Sequence, residues 1–248
     1  MNKLANIVVL VSGSGSNLQA IIDQCESGQI LGKVVAVISN KPNVYALERA
    51  KKHNIPSTLI DHNAFDSRES FDAELAKYID NYQPDLIVLA GFMRILSRDF
   101  VVKYLGKMLN IHPSLLPKYP GLHTHKRALE NNDETHGASI HFVTPELDGG
   151  PVVLQSVINI KNDDTVDELQ ERIAQTEWLI YPLAVKWFCV GALKMSQEQV
   201  WLSKEVVNNL TNLQRFYLKT TLNDEFTCQI IINTNGAKYD EESSVKLN

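Results

Sequence analysis

Cysteine, basic charge and long apolar runs are all scarce in this 248-residue chain, and each shortage removes a class of function. The three cysteines, Cys25, Cys189 and Cys228, are odd in number and sit at no metal-binding spacing. They read as reduced thiols, which leaves no disulfide framework and no zinc site. A net charge of -5 carries no basic excess, so nucleic acid is not expected as a partner. No apolar stretch reaches membrane-spanning length. The opening run, Ile7 to Val11, stops at Ser12-Gly13 and is too short for the core of a signal peptide. A cytoplasmic protein without membrane contact is the expectation. There is no internal repeat or low-complexity tract, and the length suffices for one large domain or two small ones.

What is present alternates between strand and helix. Ile7-Val8-Val9-Leu10-Val11 is continuously apolar, the pattern of a strand covered on both faces of a parallel sheet. Ser12-Gly13-Ser14-Gly15-Ser16-Asn17 follows, then Leu18, Ile21, Ile22 and Cys25 at helical spacing, with Gly28 as a stop. A glycine-rich turn between strand and helix gathers backbone N–H groups at the positive end of a helix dipole, which suits an anion. A dinucleotide fingerprint would place a third glycine at Leu18 and an acid where Ser39 and Asn40 stand. No Gly-Lys-Ser/Thr follows, so a nucleoside-triphosphate loop is excluded as well. Ser16 and Asn17 add side-chain donors that suit a single phosphate monoester. A tight connection without ligand is the plain alternative.

Further strands are expected at Val34–Ile38, Pro56–Ile60 and Leu86–Ala90, with helices at Val44–His53, after Asp66-Ser67 and within Ser97–Gly106. Phe71, Leu75, Tyr78, Ile79 and Tyr82 form one apolar stripe that reads as core. Arg68 sits in the first turn of its helix, a poor place for a cation unless solvent or an anionic ligand meets it. Ligands of open α/β sheets bind beyond the carboxyl ends of the strands. The loop Gly91 to Leu96 should therefore open on the same crevice as the Gly13 turn. Met93, Ile95 and Leu96 either wall an apolar slot there or seal the core.

Met108 to Ile111 is an apolar strand that delivers Asn110 and His112 to a loop stiffened by Pro113, Pro117 and Pro120. Residues two apart on a strand share a side, so the two face one place together. Ala138 to Val143 then runs into a turn carrying Asp148 before Gly149-Gly150, and Val152 to Ile160 returns. So short a link pairs the two strands antiparallel. Asp148 alone is an ordinary turn former; Asn, His and Asp on neighbouring element ends are also what an acyl-transfer site needs. His123 and His125 lie near Lys126 and Arg127 without a carboxylate or cysteine at ligand spacing. They read as exposed or outer contacts, and no metal is expected. A long helix starts at Asp163-Asp164-Thr165, with Val166, Leu169, Ile173 and Ile180 on its apolar face and a kink at Pro182. Glu177 shares that face, where an acid is rarely buried unless paired, so it is a candidate for holding an amine. Leu193–Met195 and Val200–Leu202 read as a closing hairpin.

Asn110-x-His112-Pro113-Ser114-Leu115-Leu116-Pro117, with His141 seven residues before Asp148 and Gly150 beyond it, resembles the folate-dependent formyltransferases. The likeness runs from about Ile7 to Leu202. It implies a Rossmann-like, open, mostly parallel twisted sheet of about seven strands with helices on both faces and an antiparallel strand at one edge. The implied reaction is formyl transfer from 10-formyltetrahydrofolate, as co-substrate, to the free amine of glycinamide ribonucleotide. Asn110, His112 and Asp148 would be catalytic. Gly15, Ser16, Asn17 and Glu177 would hold the phosphorylated amine. Arg68, Met93, Arg94, Ile95, Leu96, Asn110, His141, Thr144 and Asp148 would hold the folate, with Arg68 at its glutamate carboxylate.

Asn110 and a protonated His112 could donate to the oxygen that gains charge in the transition state. An anionic Asp148 nearby favours the imidazolium. His112 would then act as general acid toward the leaving nitrogen. The resemblance further implies small-molecule substrates, no metal and a monomer or weak homodimer. Transfer to methionyl-tRNA would want a second, basic domain, and hydrolysis of the formyl folate would have less use for a phosphate loop. A non-catalytic nucleotide- or folate-binding module would not need Asn110, His112 and Asp148 together. The expected formyltransferase domain is 1–202. Residues 203–248 are an extension with helical character at Leu210–Leu222, a strand at Phe226–Ile232 and a polar, disordered end from Lys238.

Overall fold

A computed structural model describes residues 3–203, Val206 and residues 228–232. The N-terminal apolar run forms β1 (Ala5–Val11), and it lies near the middle of an eight-stranded sheet. β2 (Gly32–Ser39) and β3 (Ser57–Leu59) add in parallel on one side, and β4 (Leu86–Leu89) and β5 (Met108–His112) on the other. The chain changes direction of growth between β1 and β4. Loops leaving their carboxyl ends diverge there and open a crevice.

The two faces of β1 explain its lack of alternation. Ile7, Val9 and Val11 enter one core cluster, Val8 and Leu10 enter the other, and all five are fully buried. Each such side chain contributes about 1.5–3 kcal/mol relative to exposure. α1 (Ser16–Glu26), α2 (Tyr45–Lys52) and the 24-residue helix Val166–Cys189 cover the first face with Leu18, Ile21, Ala46, Ile173 and Ile180. α3 (Arg68–Asp80) and α4 (Arg98–Lys103) cover the second with Phe71, Leu75, Ile79 and Phe100. The aromatic and aliphatic stripe of α3 is core, as its spacing indicates. Ser67 opens α3 with a reciprocal bond to Ser70.

Beyond β5, the short α5 (Thr124–Glu130) leads to β6 (Thr135–Phe142), which runs antiparallel to β5; β7 (Val152–Asn159) runs antiparallel to β6. The long helix follows as α6 (Val166–Cys189); a Thr165–Glu168 capping box starts it, and it continues through Pro182. β8 (Leu193–Ser196) and β9 (Gln199–Leu202) form a separate hairpin. β10 (Gln229–Ile232) falls within the expected Phe226–Ile232 strand and adds antiparallel to the outside of β7. Among the described residues the sheet thus has eight strands where about seven were expected, and three antiparallel pairings occupy one end instead of a single edge strand. Only the short β6–β7 link announces its direction in the sequence; the long β5–β6 link does not. The expected helix at Leu210–Leu222 and the polar end from Lys238 lie outside the described residues. Among the described residues no helix is long and apolar enough to cross a membrane.

β10 covers a strand edge that is eight residues long and mostly apolar. Cys228 and Ile230 are buried with it in the first core cluster. Removing residues 203–248 should therefore expose unpaired backbone groups along β7, a template for pairing with another chain. We expect the truncated protein to lose about 2–4 kcal/mol and to self-associate. Denaturant unfolding and sedimentation velocity check this; a monomer of unchanged stability would show that β10 contributes little.

Candidate active site

Asn110 and His112 point to the same side from the end of β5, and β6 lies beside them in register. Asn110 stands opposite His141, and its Nδ2 donates to His141 Nε2 at 3.0 Å. His141 Nδ1 donates to the Phe142 carbonyl at 2.9 Å. Burial lowers the affinity of that ring for a second proton. His141 is therefore neutral, with its Nε2 lone pair accepting the Asn110 amide.

His112 Nε2 donates to the Tyr119 carbonyl at 2.8 Å, and its Nδ1 lies 3.5 Å from Asp148 Oδ2. Asp148 Oδ1 is 3.7 Å from His141 Nε2, and its Oδ2 accepts the Gly121 N–H at 2.9 Å. The three side chains are at most 9 % exposed. The Tyr119 carbonyl thus holds Nε2 as a donor, and Nδ1 is left facing the carboxylate. Asp148 has a left-handed backbone (φ 51), which aspartate adopts more readily than most residues. Two residues on, a Cβ at Gly150 would lie 1.8 Å from the Phe142 carbonyl oxygen, so only glycine lets this turn pass β6. The Asp148-x-Gly150 spacing thus has a steric cause.

The glycine-rich turn lies at the carboxyl end of β1. Gly15 caps α1 with φ 73 and supplies no side-chain cap bond. A Cβ there would sit 2.7 Å from Ala46 Cβ. Arg49 Nε donates to the Ser14 carbonyl at 2.9 Å and its Nη1 to Gln19 at 3.1 Å, which holds a guanidinium beside the turn. Sequence reading missed Arg49, because no local pattern links it to a turn so far upstream. Asn17 Nδ2 donates to Glu177 Oε2 at 2.7 Å, while Asn17 Oδ1 is buried without a partner among the described residues. Burial pushes the Glu177 carboxyl up to about 7, against the opposing pull of the Asn17 bond. The acid on the packed face of α6 is paired, and its partner comes from the glycine turn.

The third loop leaves β4. Ser12 Oγ accepts the Met93 N–H at 2.7 Å and donates to Asn40 Oδ1, which ties together the ends of β1, β2 and β4. Ser12 was also missed. Met93 and Ile95 are exposed, and so are Leu122 and Leu147 on the loops holding Gly121 and Asp148. Four large apolar side chains thus offer cover to an apolar ligand. Leu96 is half-buried against the second core cluster, as is Val143 before Thr144. Arg94 lies over the Phe71 ring at 5.3 Å. Arg68 is exposed at the first position of α3, and Asp72 is buried one turn on, accepting the Ser97 N–H.

A glycine turn suited to phosphate, a paired acid, an apolar-edged loop and an Asn/His/Asp cluster therefore meet at one end of the sheet. The formyl transferase model matches residues 5–185. This chain belongs to the formyl transferase family. It is 57% identical over 197 residues to the phosphoribosylglycinamide formyltransferase of Escherichia coli K12, covering 79% of this chain and 93% of that one. The Haemophilus influenzae protein of the same name is 45% identical, with 80% and 94% covered. Among solved structures, the phosphoribosylglycinamide formyltransferase of Coxiella burnetii superposes with a TM-score of 0.77 at 48% identity, covering 80% of this chain and 93% of that chain. Glycinamide ribonucleotide transformylase 1 of Symbiobacterium toebii gives 0.79 at 41%, covering 82% and 95%.

The match to the formyl transferase family ends within α6, so the β8–β9 hairpin and β10 lie beyond it. Inside the matched region the histidines divide differently from the expectation. His123 is exposed, but His125 is buried and packs edge-to-face on His136 at 5.2 Å. Burial pushes both rings down to about 4, so they are neutral near pH 7. His136 lies ahead of the strand expected from Ala138 and carried no sequence signal.

Proposed function

We propose that this chain transfers the formyl group of 10-formyltetrahydrofolate to the amine of N1-(5-phospho-D-ribosyl)glycinamide, giving formylglycinamide ribonucleotide and tetrahydrofolate in purine synthesis. The observation that carries this reading is the Asn110, His112 and Asp148 cluster beside an uncapped glycine turn on one sheet end. The neutral amine attacks the formyl carbon, forming a C–N bond and a tetrahedral centre whose oxygen carries charge. The second N–H of the Asn110 amide and the His112 Nδ1–H donate to that oxygen, while Nε2 stays on the Tyr119 carbonyl; this stabilisation is the largest demand of acyl transfer. Breaking the bond to the folate nitrogen returns the carbonyl. The proton lost by the amine ends on that nitrogen, with His112 as general acid and Asp148 as its anionic partner.

In this reading the N–H groups at Gly15 and Ser16, the Asn17 amide and Arg49 receive the phosphate, and Glu177 the amine-bearing end. Arg68 meets the glutamate carboxylate of the folate. Met93 to Leu96, His141 and Thr144 line the pterin side. The reaction calls on no metal. The protein works in the cytoplasm as a monomer or weak homodimer. Following the folate absorbance with and without the ribonucleotide tests the reading. Turnover that requires the ribonucleotide is expected; equal turnover without it would make water the acceptor and the protein a hydrolase.

The phosphate assignment has a sharper test. Gly15→Val puts a Cβ into Ala46 at a left-handed position, and Asn17→Ala removes the link to Glu177. A single charge-assisted hydrogen bond is worth roughly 1.5–3 kcal/mol, so the ribonucleotide should bind at least about tenfold more weakly in either variant. Folate affinity should hardly change. Equal losses for both ligands in calorimetry would reject the assignment.

A further inference from the structure

We propose that Tyr119 is a positioning residue for formyl transfer: its hydroxyl, pinned on Asp133, fixes the backbone that holds both His112 and Asp148. The inference rests on the roles given to those two residues under the proposed function. The loop after β5 turns back over the end of its own strand. At residue 119 its carbonyl accepts the His112 Nε2 proton at 2.8 Å, and at residue 121 its N–H reaches Asp148 Oδ2 at 2.9 Å. One short segment therefore fixes the ring from one side and the carboxylate from the other. The 3.5 Å between His112 Nδ1 and Asp148 depends on where that segment lies.

Tyr119 has φ 56, a left-handed conformation that a bulky side chain keeps only when its surroundings enforce it. The surroundings do enforce it. Tyr119 Oη donates to Asp133 Oδ2 at 2.8 Å and accepts from Asn131 Nδ2 at 3.0 Å. Lys118 Nζ lies 3.1 Å from both Asp133 oxygens. The Arg127 guanidinium stands 4.9 Å over the Tyr119 ring and donates to the Pro120 carbonyl at 2.7 Å. Ser114 Oγ donates to the Lys118 carbonyl at 2.6 Å. The tyrosine side chain is thus anchored to the turn after α5, while its main chain faces the catalytic pair. None of these anchoring side chains is assigned to either substrate under the proposed function.

Tyr119→Phe removes only the hydroxyl and keeps the ring under Arg127. Misplacing a catalytic group by about 1 Å costs on the order of a hundredfold in rate. We expect kcat to fall about ten- to a hundredfold while both KM values stay within about twofold. Asp133→Ala should match it, and the double variant should be no worse than either single one, because the two act through one bond. Asp133→Asn keeps an acceptor for the tyrosine and should restore most of the rate. Imidazole ¹⁵N NMR supplies a readout that needs no substrate: the His112 Nε2 proton, bonded to the Tyr119 carbonyl, is expected to give a sharp signal in the parent protein and to lose it in Tyr119→Phe. Unchanged kcat with an unchanged His112 signal overturns the proposal. So does a loss of stability that leaves kcat per folded molecule intact. If the parent protein fails to use the ribonucleotide, the proposed function falls, while the NMR comparison still decides whether Tyr119 holds His112.

Discussion

Asp148→Asn is expected to cut formyl transfer about a thousandfold while both ligands still bind. The substitution is close to neutral for the fold. Asparagine tolerates the left-handed backbone at this position, and its side-chain oxygen can still accept the Gly121 N–H. What disappears is a negative charge 3.5 Å from His112 Nδ1 and 3.7 Å from His141. At that separation, with an effective dielectric constant of about 20, a charge pair interacts by about 4–5 kcal/mol. At about 1.4 kcal/mol per tenfold, full loss of that interaction in the transition state amounts to about three orders of magnitude. Burial leaves little water to screen the pair. Single-turnover kinetics should show the loss, and calorimetry should show ribonucleotide and folate affinities within a few-fold of the parent. A variant that retains a tenth or more of the rate would reduce Asp148 to a turn former.

The sequence made the frame of this site readable where the physics is local. The apolar run of β1 and the stripe of α3 declare their burial through period alone. Asn110 and His112 share a side because strands alternate, and Gly150 marks a backbone contact that excludes a Cβ. Glu177 announced a partner by being acidic on an apolar face, although nothing local named Asn17 as that partner. Contacts set by tertiary geometry stayed hidden. Ser12 joins three strand ends, Arg49 reaches back to Ser14, and Tyr119 reaches forward to Asp133. In each case both residues look ordinary in their own segment. The antiparallel half of the sheet was underestimated for a related reason: a long connection does not report the direction in which the next strand returns. β10 could be recognised as a strand, but its place beside β7 is a long-range choice.

Glu177→Gln is expected to make the unliganded protein more stable at high pH and weaker for the ribonucleotide. In the folded chain the Glu177 carboxyl titrates at about 7 instead of 4.5, because burial disfavours its charge. Between those values the folded state keeps a proton that the unfolded chain has released. Stability therefore falls as pH rises through this window, and the cost is complete above about 7. The distance from 4.5 to about 7 corresponds to roughly 3 kcal/mol. The side chain retains some contact with water, so a net gain of about 1–2 kcal/mol is the expected effect of neutralising it. Glutamine still offers an oxygen to Asn17, so the packing of α1 against α6 should survive. Melting curves from pH 5 to 8 should show variant and parent converging at the acid end and separating toward pH 8.

Binding should move the other way, since an amine bound to a carboxylate gains roughly 1.5–3 kcal/mol that a neutral amide does not supply. About ten- to a hundredfold weaker ribonucleotide binding at pH 7.5, with folate affinity unchanged, is the expected calorimetric result. The acid would then be retained at a cost to the empty protein because the substrate offsets it on binding. A variant that is more stable and binds as tightly as the parent would leave Glu177 as a structural partner of Asn17 only. A variant destabilised equally at every pH would show that its charge, in the empty protein, is not a burden at all.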